Sequence, residues 1–206
     1  QYLRNSDTLT VVRIMDGAFG PATASVITSS AAGDITSDGR SGVSFKLHTL
    51  ADGTIMNNSD TTARPNNILI SGSKHNVRFE VSNINKKRGT FTLLIRRGDD
   101  THKRKQILET YNNATLDPNS TNYILKMVGD QVQTLRTDGT TKYLQLTGSY
   151  PNKSRYVRVS SVSETVDYLD ENGSVRVNAA SSSLPHSGSG SFNGGFGGGT
   201  DGFSGF

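Results

Sequence analysis

"NVRFEVSNINKKRGTFTLLIRRGDDTHKRKQILETY", Asn76 to Tyr111, decides the fold of this chain. Its first part puts Val77, Phe79 and Val81 on one face of an extended chain, and its middle does the same with Phe91, Leu93 and Ile95. A period of two has this effect because successive side chains of a strand point to opposite sides. The end of the stretch supplies Ile107 and Leu108. The links "NKKRG" and "RGDDTHKR" are charged and short enough for hairpin-type turns. The stretch therefore predicts an antiparallel meander of three strands with one apolar face.

Next along the chain is "LDPNSTNYILKMVGDQ", Leu116 to Gln131, which reads as one short helix with a written start and stop. Asp117 can cap free backbone N–H groups, Pro118 suits a first helical position, and Gly129 can end the helix in a left-handed conformation. Tyr123 and Met127, and Ile124 and Val128, fall four apart and form an apolar stripe, with Asn122 and Lys126 off it. A helix from Pro118 to Val128 is expected to lie over the apolar face of the meander.

On the N-terminal side, "TLTVVRIM" (residues 8–15) reads as a strand, which suggests a chain cut from something longer. Residues 16–42 are small, polar and Gly-punctuated, and read as a loop or mobile insertion. "VSFKLHTL" alternates Val43, Phe45 and Leu47 with Ser44, Lys46 and His48, a half-buried strand followed by the turn "ADGT" and an irregular stretch through Pro65. On the C-terminal side, "KYLQLTG" and "RYVRVSSV" are strand candidates joined by "GSYPNKS", with "GSVRVNA" a third. The expected class is α+β, predominantly antiparallel β with one or a few short helices. Residues 1–180 form that region, and 181–206 form a Gly/Ser-rich linker toward a further C-terminal portion.

Composition narrows the function. A hydrophobic fraction of 33% with 22 Gly residues implies much loop and a thin core. No run of about eighteen apolar residues occurs, so no membrane insertion is expected. With 0 Cys, disulfide frameworks, thiolate catalysis and cysteine-bound zinc are excluded. A net charge of +4, with basic and acidic residues alternating, suits a protein surface better than direct contact with nucleic acid.

Groups that could carry catalysis do not converge along the sequence. His48, His75, His102 and His186 stand in four separate segments without metal-ligand spacing. "GSGSFNGGFGGG" has neither a preceding strand nor a following helix, so it lacks the context of a phosphate cradle. The reading is a non-enzyme with no cofactor and no metal. The most unusual surface feature is the charged turn of Arg96, Arg97, Asp99, Asp100, Lys103, Arg104 and Lys105. Its mixed signs suggest contact with another protein, where charges set register and orientation; a solvated turn explains it equally well.

The block "GTFTLLIRRGDDTHKRKQILETYNNATLDPNSTNYILKMVGDQ", Gly89 to Gln131, resembles the contractile tail sheath proteins of T4-like myoviruses, most closely those of marine and cyanobacterial phages. "YLRNSDTLTVVRI" (Tyr2 to Ile14), "LHTLADGTIMNN" (Leu47 to Asn58) and "GGTDG" (Gly198 to Gly202) also look like sheath segments. The resemblance implies the central fragment of a subunit, without the terminal arms through which sheath subunits exchange strands. It implies a structural role in the virion tail, with the host cytoplasm as the place of assembly. Subunits encircle the tail tube in a homo-oligomeric helical array whose contraction drives the tube through the host envelope. Its partners would be other sheath subunits, the tail tube protein, and the baseplate and tail terminator proteins. The helix would stiffen a domain that moves as a rigid body. A reading of another class is a β-rich binding module of phage-fibre or carbohydrate-binding type. Seven Tyr and no Trp give such a module a thin aromatic platform for sugar.

Overall fold

The alternation around Phe79 and Phe91 does become paired strands. The computed structural model describes residues 19–28, 42–52, 77–98, 100–101, 103–176, 183–186, 192–196 and 200–201. Among them are strands β1 (Phe19–Ile27), β2 (Val43–Asp52), β3 (Val77–Asn85), β4 (Thr90–Arg97) and β5 (Ile107–Thr115). Helix α1 (Ile124–Val128) follows, then β6 (Val132–Asp138), β7 (Thr141–Thr147), β8 (Val157–Ser160), β9 (Phe192–Gly195) and β10 (Thr200–Asp201). One sheet runs β10-β1-β2-β8, a second runs β5-β4-β3-β9, and β6 and β7 form a separate hairpin, with every strand pair antiparallel. The described residues are thus mostly antiparallel β with one short helix.

The expected meander is β3-β4-β5, with Phe79 opposite Ile95 and Val81 opposite Leu93. Its apolar face is covered by the other sheet, not by the helix. Phe45 of β2 stacks on Phe91 of β4 with centroids 5.7 Å apart, and Phe79 meets Phe196 edge-on at 6.1 Å. Ala22, Ala24 and Val26 of β1, Leu47 of β2, and Val157 and Val159 of β8 join Val77, Val81, Leu93 and Ile95 in the same buried core. Two sheets facing each other across interdigitated side chains make a β-sandwich.

The helix is shorter than its sequence suggests. It begins at Ile124, with Tyr123 at the N-cap and no side-chain cap. Asp117 instead accepts the Asn119 N–H at 2.9 Å, closing a turn on its own backbone, and Pro118 belongs to that turn. Ile124 and Val128 are buried as the apolar stripe requires, while Met127 is only partly covered. The helix packs beside β5 and β8 at the margin of the sandwich. A single helix of 5 residues is too small to cover a three-stranded face, so a second sheet does so.

Two further expectations are corrected. β1 lies within the 16–42 stretch that reads as loop, and the Gly-rich tail that reads as linker supplies β9 to the edge of β3 and β10 to the edge of β1. Edge strands pair through backbone N–H and C=O groups, which Gly and Ser carry as well as any residue. Leu184 is buried in the core, and the Ser44 hydroxyl donates to the Ser183 carbonyl at 2.7 Å. "KYLQLTG" becomes β7, but it pairs with the unforeseen β6, whereas β8 from "RYVRVSSV" joins β2. Within "GSVRVNA", Val175 makes only an isolated bridge to Leu169. The expected strand at 8–15 and the irregular stretch at 53–65 lie outside the described residues.

Candidate functional site

The charged turn begins on the face of β4 turned away from the core. Ile95 points inward, so Arg96 points outward, on the same face as Arg78 and Glu80 of β3. That face would ordinarily meet water. Instead, the link from β4 to β5 folds over it and seals Arg96 completely, with side-chain exposure of 0%. Arg96 grips Asp100 with two parallel hydrogen bonds, Nε to Oδ2 at 2.6 Å and Nη2 to Oδ1 at 2.8 Å. Its Nη1 donates to Glu80 at 2.8 Å, and Lys105 Nζ donates to the other Glu80 oxygen at 2.7 Å. The Gln106 N–H and the Arg78 guanidinium complete the shell around Asp100. Burial works to lower the Arg96 pKa, but the hydrogen bonds and charges of Asp100 and Glu80 outweigh it and raise the pKa.

This geometry divides the seven residues. Arg96 and Asp100 are buried, which corrects the reading of the whole turn as solvated and free to contact a partner. Lys105 is committed to Glu80, and Arg97 is half-buried at the end of β4. Lys103 and Arg104 alone are simply exposed, and Asp99 lies outside the described residues. Glu80 is the member missed by sequence reasoning. Its place opposite Leu94, two residues along from the Arg78–Arg96 pair, is a property of strand register that chain spacing does not record.

A second surface lies on the outer face of the first sheet. Thr23, His48 and Arg158 form one row across β1, β2 and β8, and Ser25, Lys46 and Ser160 form the next. His48 Nε2 and Ser160 Oγ are 2.7 Å apart. Burial, followed by the charges of Arg158 and Lys46, lowers the His48 pKa. Burial also lowers that of Arg158, against the attraction of Asp130. Among the described residues, no carboxylate forms an ion pair with Lys46 or Arg158.

The β6–β7 hairpin borders this surface. Leu135 lies opposite Leu144 and Gln133 opposite Leu146, so the three leucines share one face. They are 62%, 65% and 58% exposed, respectively. Between the root of the hairpin and the sheet is a cleft of about 640 Å³, lined by Pro21, Leu50, Val132, Leu146, Pro151 and Arg158 among others. Among the described residues, no three His, Asp or Glu side chains gather as a metal site requires. No described helix is long and apolar enough to cross a membrane.

Fold and surfaces define a β-sandwich with a hairpin that exposes three leucines, a sealed charge cluster and a cleft lined in part by Arg158. Compared with protein-family models, curated proteins and solved structures, the chain matches none.

Proposed function

We propose that this chain is part of a structural subunit of a contractile phage tail sheath. The observation that carries the reading is the block Gly89 to Gln131, which resembles sheath proteins through a strand, a charged turn, a second strand and a short helix. The role is mechanical and uses no cofactor. Subunits surround the tail tube in the virion, anchored at the baseplate and terminator, and a change in their packing shortens the array. Such an array stores free energy as a difference between two subunit arrangements, and about 1 to 3 kcal/mol per subunit becomes large when many move together. A compact sandwich suits this role because a well-packed core transmits displacement instead of absorbing it.

Negative-stain microscopy of the full-length parent protein tests the reading. The expected result is hollow tubes with a helical repeat. Reversal of the exposed Lys103 and Arg104 to Glu should leave folding intact and shorten the tubes, with salt easing the defect if they lie at a repeated contact. Dispersed particles in place of tubes would overturn the reading. The cleft, lined by leucines and by polar side chains, favours a second reading, a β-rich binding module, which predicts dispersed particles that retain a ligand.

A further inference from the structure

The cleft carries two kinds of recognition at once. Its walls are mixed: Leu50, Val132 and Leu146 stand among the polar Thr49, Gln131, Gln133 and Asn152, and Arg158 also lines it, with Lys46 and His48 on the same sheet face. Exposed leucines beside a cation that Asp130 attracts without forming an ion pair fit a segment that offers an aliphatic side chain among carboxylates. The chain contains such a segment. Residues 164–171, "ETVDYLDE", hold Glu164, Asp167, Asp170 and Glu171, and Val166 among them is 56% exposed. Glu164 accepts the Tyr123 hydroxyl, Asp167 the Asn119 amide, and Asp170 the backbone N–H groups of its own turn. These donors are neutral, and among the described residues none of the four carboxylates forms an ion pair.

The acidic turn and the cleft sit at opposite ends of β2. Ser163, which leads into the turn, bonds to the Val43 and Ser44 carbonyls at the start of the strand. Tyr168 in the turn hydrogen-bonds the Lys86 carbonyl beyond β3. Leu50, near the other end of β2, lines the cleft. A rise of about 3.3 Å per residue separates the two by roughly 20 Å, so a single copy does not bring them together.

We propose that the acidic turn at 164–171 of one copy docks in the cleft between β6–β7 and the first sheet of a second copy, with Val166 against Leu50 and Leu146 and the carboxylates toward Arg158 and Lys46. Because the two patches differ, the contact is heterologous, and repetition generates either a ring or an open helix. The inference rests on the sheath reading for the number of repeats, whereas the docking chemistry rests on the two surfaces.

The chain has 0 Cys, which makes the test direct. Copies carrying Leu146→Cys are mixed with copies carrying Val166→Cys at high chain concentration under mild oxidation. The expected result is a mixed 146–166 disulfide formed about tenfold faster than either homotypic one, since docking raises the local thiol concentration. Salt should lower the mixed yield severalfold, as should Arg158→Glu in the Leu146→Cys copy. Lys46→Glu, at an exposed position, provides the same reading should Arg158→Glu perturb the fold. Equal rates for mixed and homotypic disulfides would overturn the proposal, as would a dominant 146–146 disulfide, which would mean that the leucine faces pair with each other. The mixed disulfide without tubes from the full-length parent leaves the contact standing and removes the sheath reading. Tubes that carry the same cysteines without the mixed disulfide do the reverse.

Discussion

Arg96 carries a full charge with no access to water, and its stability depends on Asp100 and Glu80 taking every polarised N–H they can. Removing it leaves two buried carboxylates with only the partly exposed Lys105 and Arg78 as cationic neighbours, a larger loss than the pair contributes when intact. Arg96→Met should therefore cost about 3–5 kcal/mol in denaturant unfolding. Lys103→Glu, a few residues away and exposed, should leave the midpoint within error. His48 makes a different prediction. Its folded pKa lies below the ordinary 6.5, so the unfolded chain binds the extra proton first. The resulting stability is present above that ordinary value and is lost as the pH falls through the folded pKa. His48→Gln should remove this component, so that the Tm difference between parent and variant narrows or reverses on acidification below about pH 6. Residue types were legible at these positions, but roles were not. Arg96 and Asp100 stand four apart in any reading, whereas Glu80 joins them only through strand pairing.

At the level of elements, the short helix ends where its sequence says and begins where it does not. Gly129 has φ of 109°, and a β-carbon there would overlap the Asn152 backbone as the chain returns across the helix end. Gly129→Ala should thus cost on the order of 1–3 kcal/mol, measured by thermal unfolding, because strain and overlap act together. The start moved because Asp117 and Pro118 serve equally well in a turn, and local chemistry does not choose between a cap and an Asx turn. The alternation in β3 and β4 was unambiguous, since a one-residue slip would turn Phe79 and Phe91 to solvent. Phe91 is 1% exposed and stacked on Phe45 across the sandwich. Phe91→Ala should cost about 3–5 kcal/mol, read as a lowered denaturant midpoint with an unchanged m-value. The β6 strand escaped notice because its two apolar residues, Val132 and Leu135, stand three apart and so break the alternation that marks a strand.

For the whole molecule, the question is what closes the two sheets. β9 and β10 come from a tail whose composition alone suggests a linker, yet they cap the edges of β3 and β1, and Leu184 and Phe196 enter the core beside them. Truncation after residue 180 should lower the Tm and promote aggregation in light scattering, because two strand edges and part of the core lose their cover. A freely detached tail would leave both measurements unchanged. The sequence by itself determined what is local and periodic: the central meander, its inward face, the strand at Val43–Leu50 and the helix stop at Gly129. Tertiary structure alone decided that a second sheet covers that face, that Arg96 is sealed, that a Gly-rich tail becomes two edge strands, and that Arg158 and Leu146 line one cleft. The physical reason is that periodicity records which side of an element is buried, while its partner is chosen by backbone pairing and surface complementarity between segments far apart in the chain.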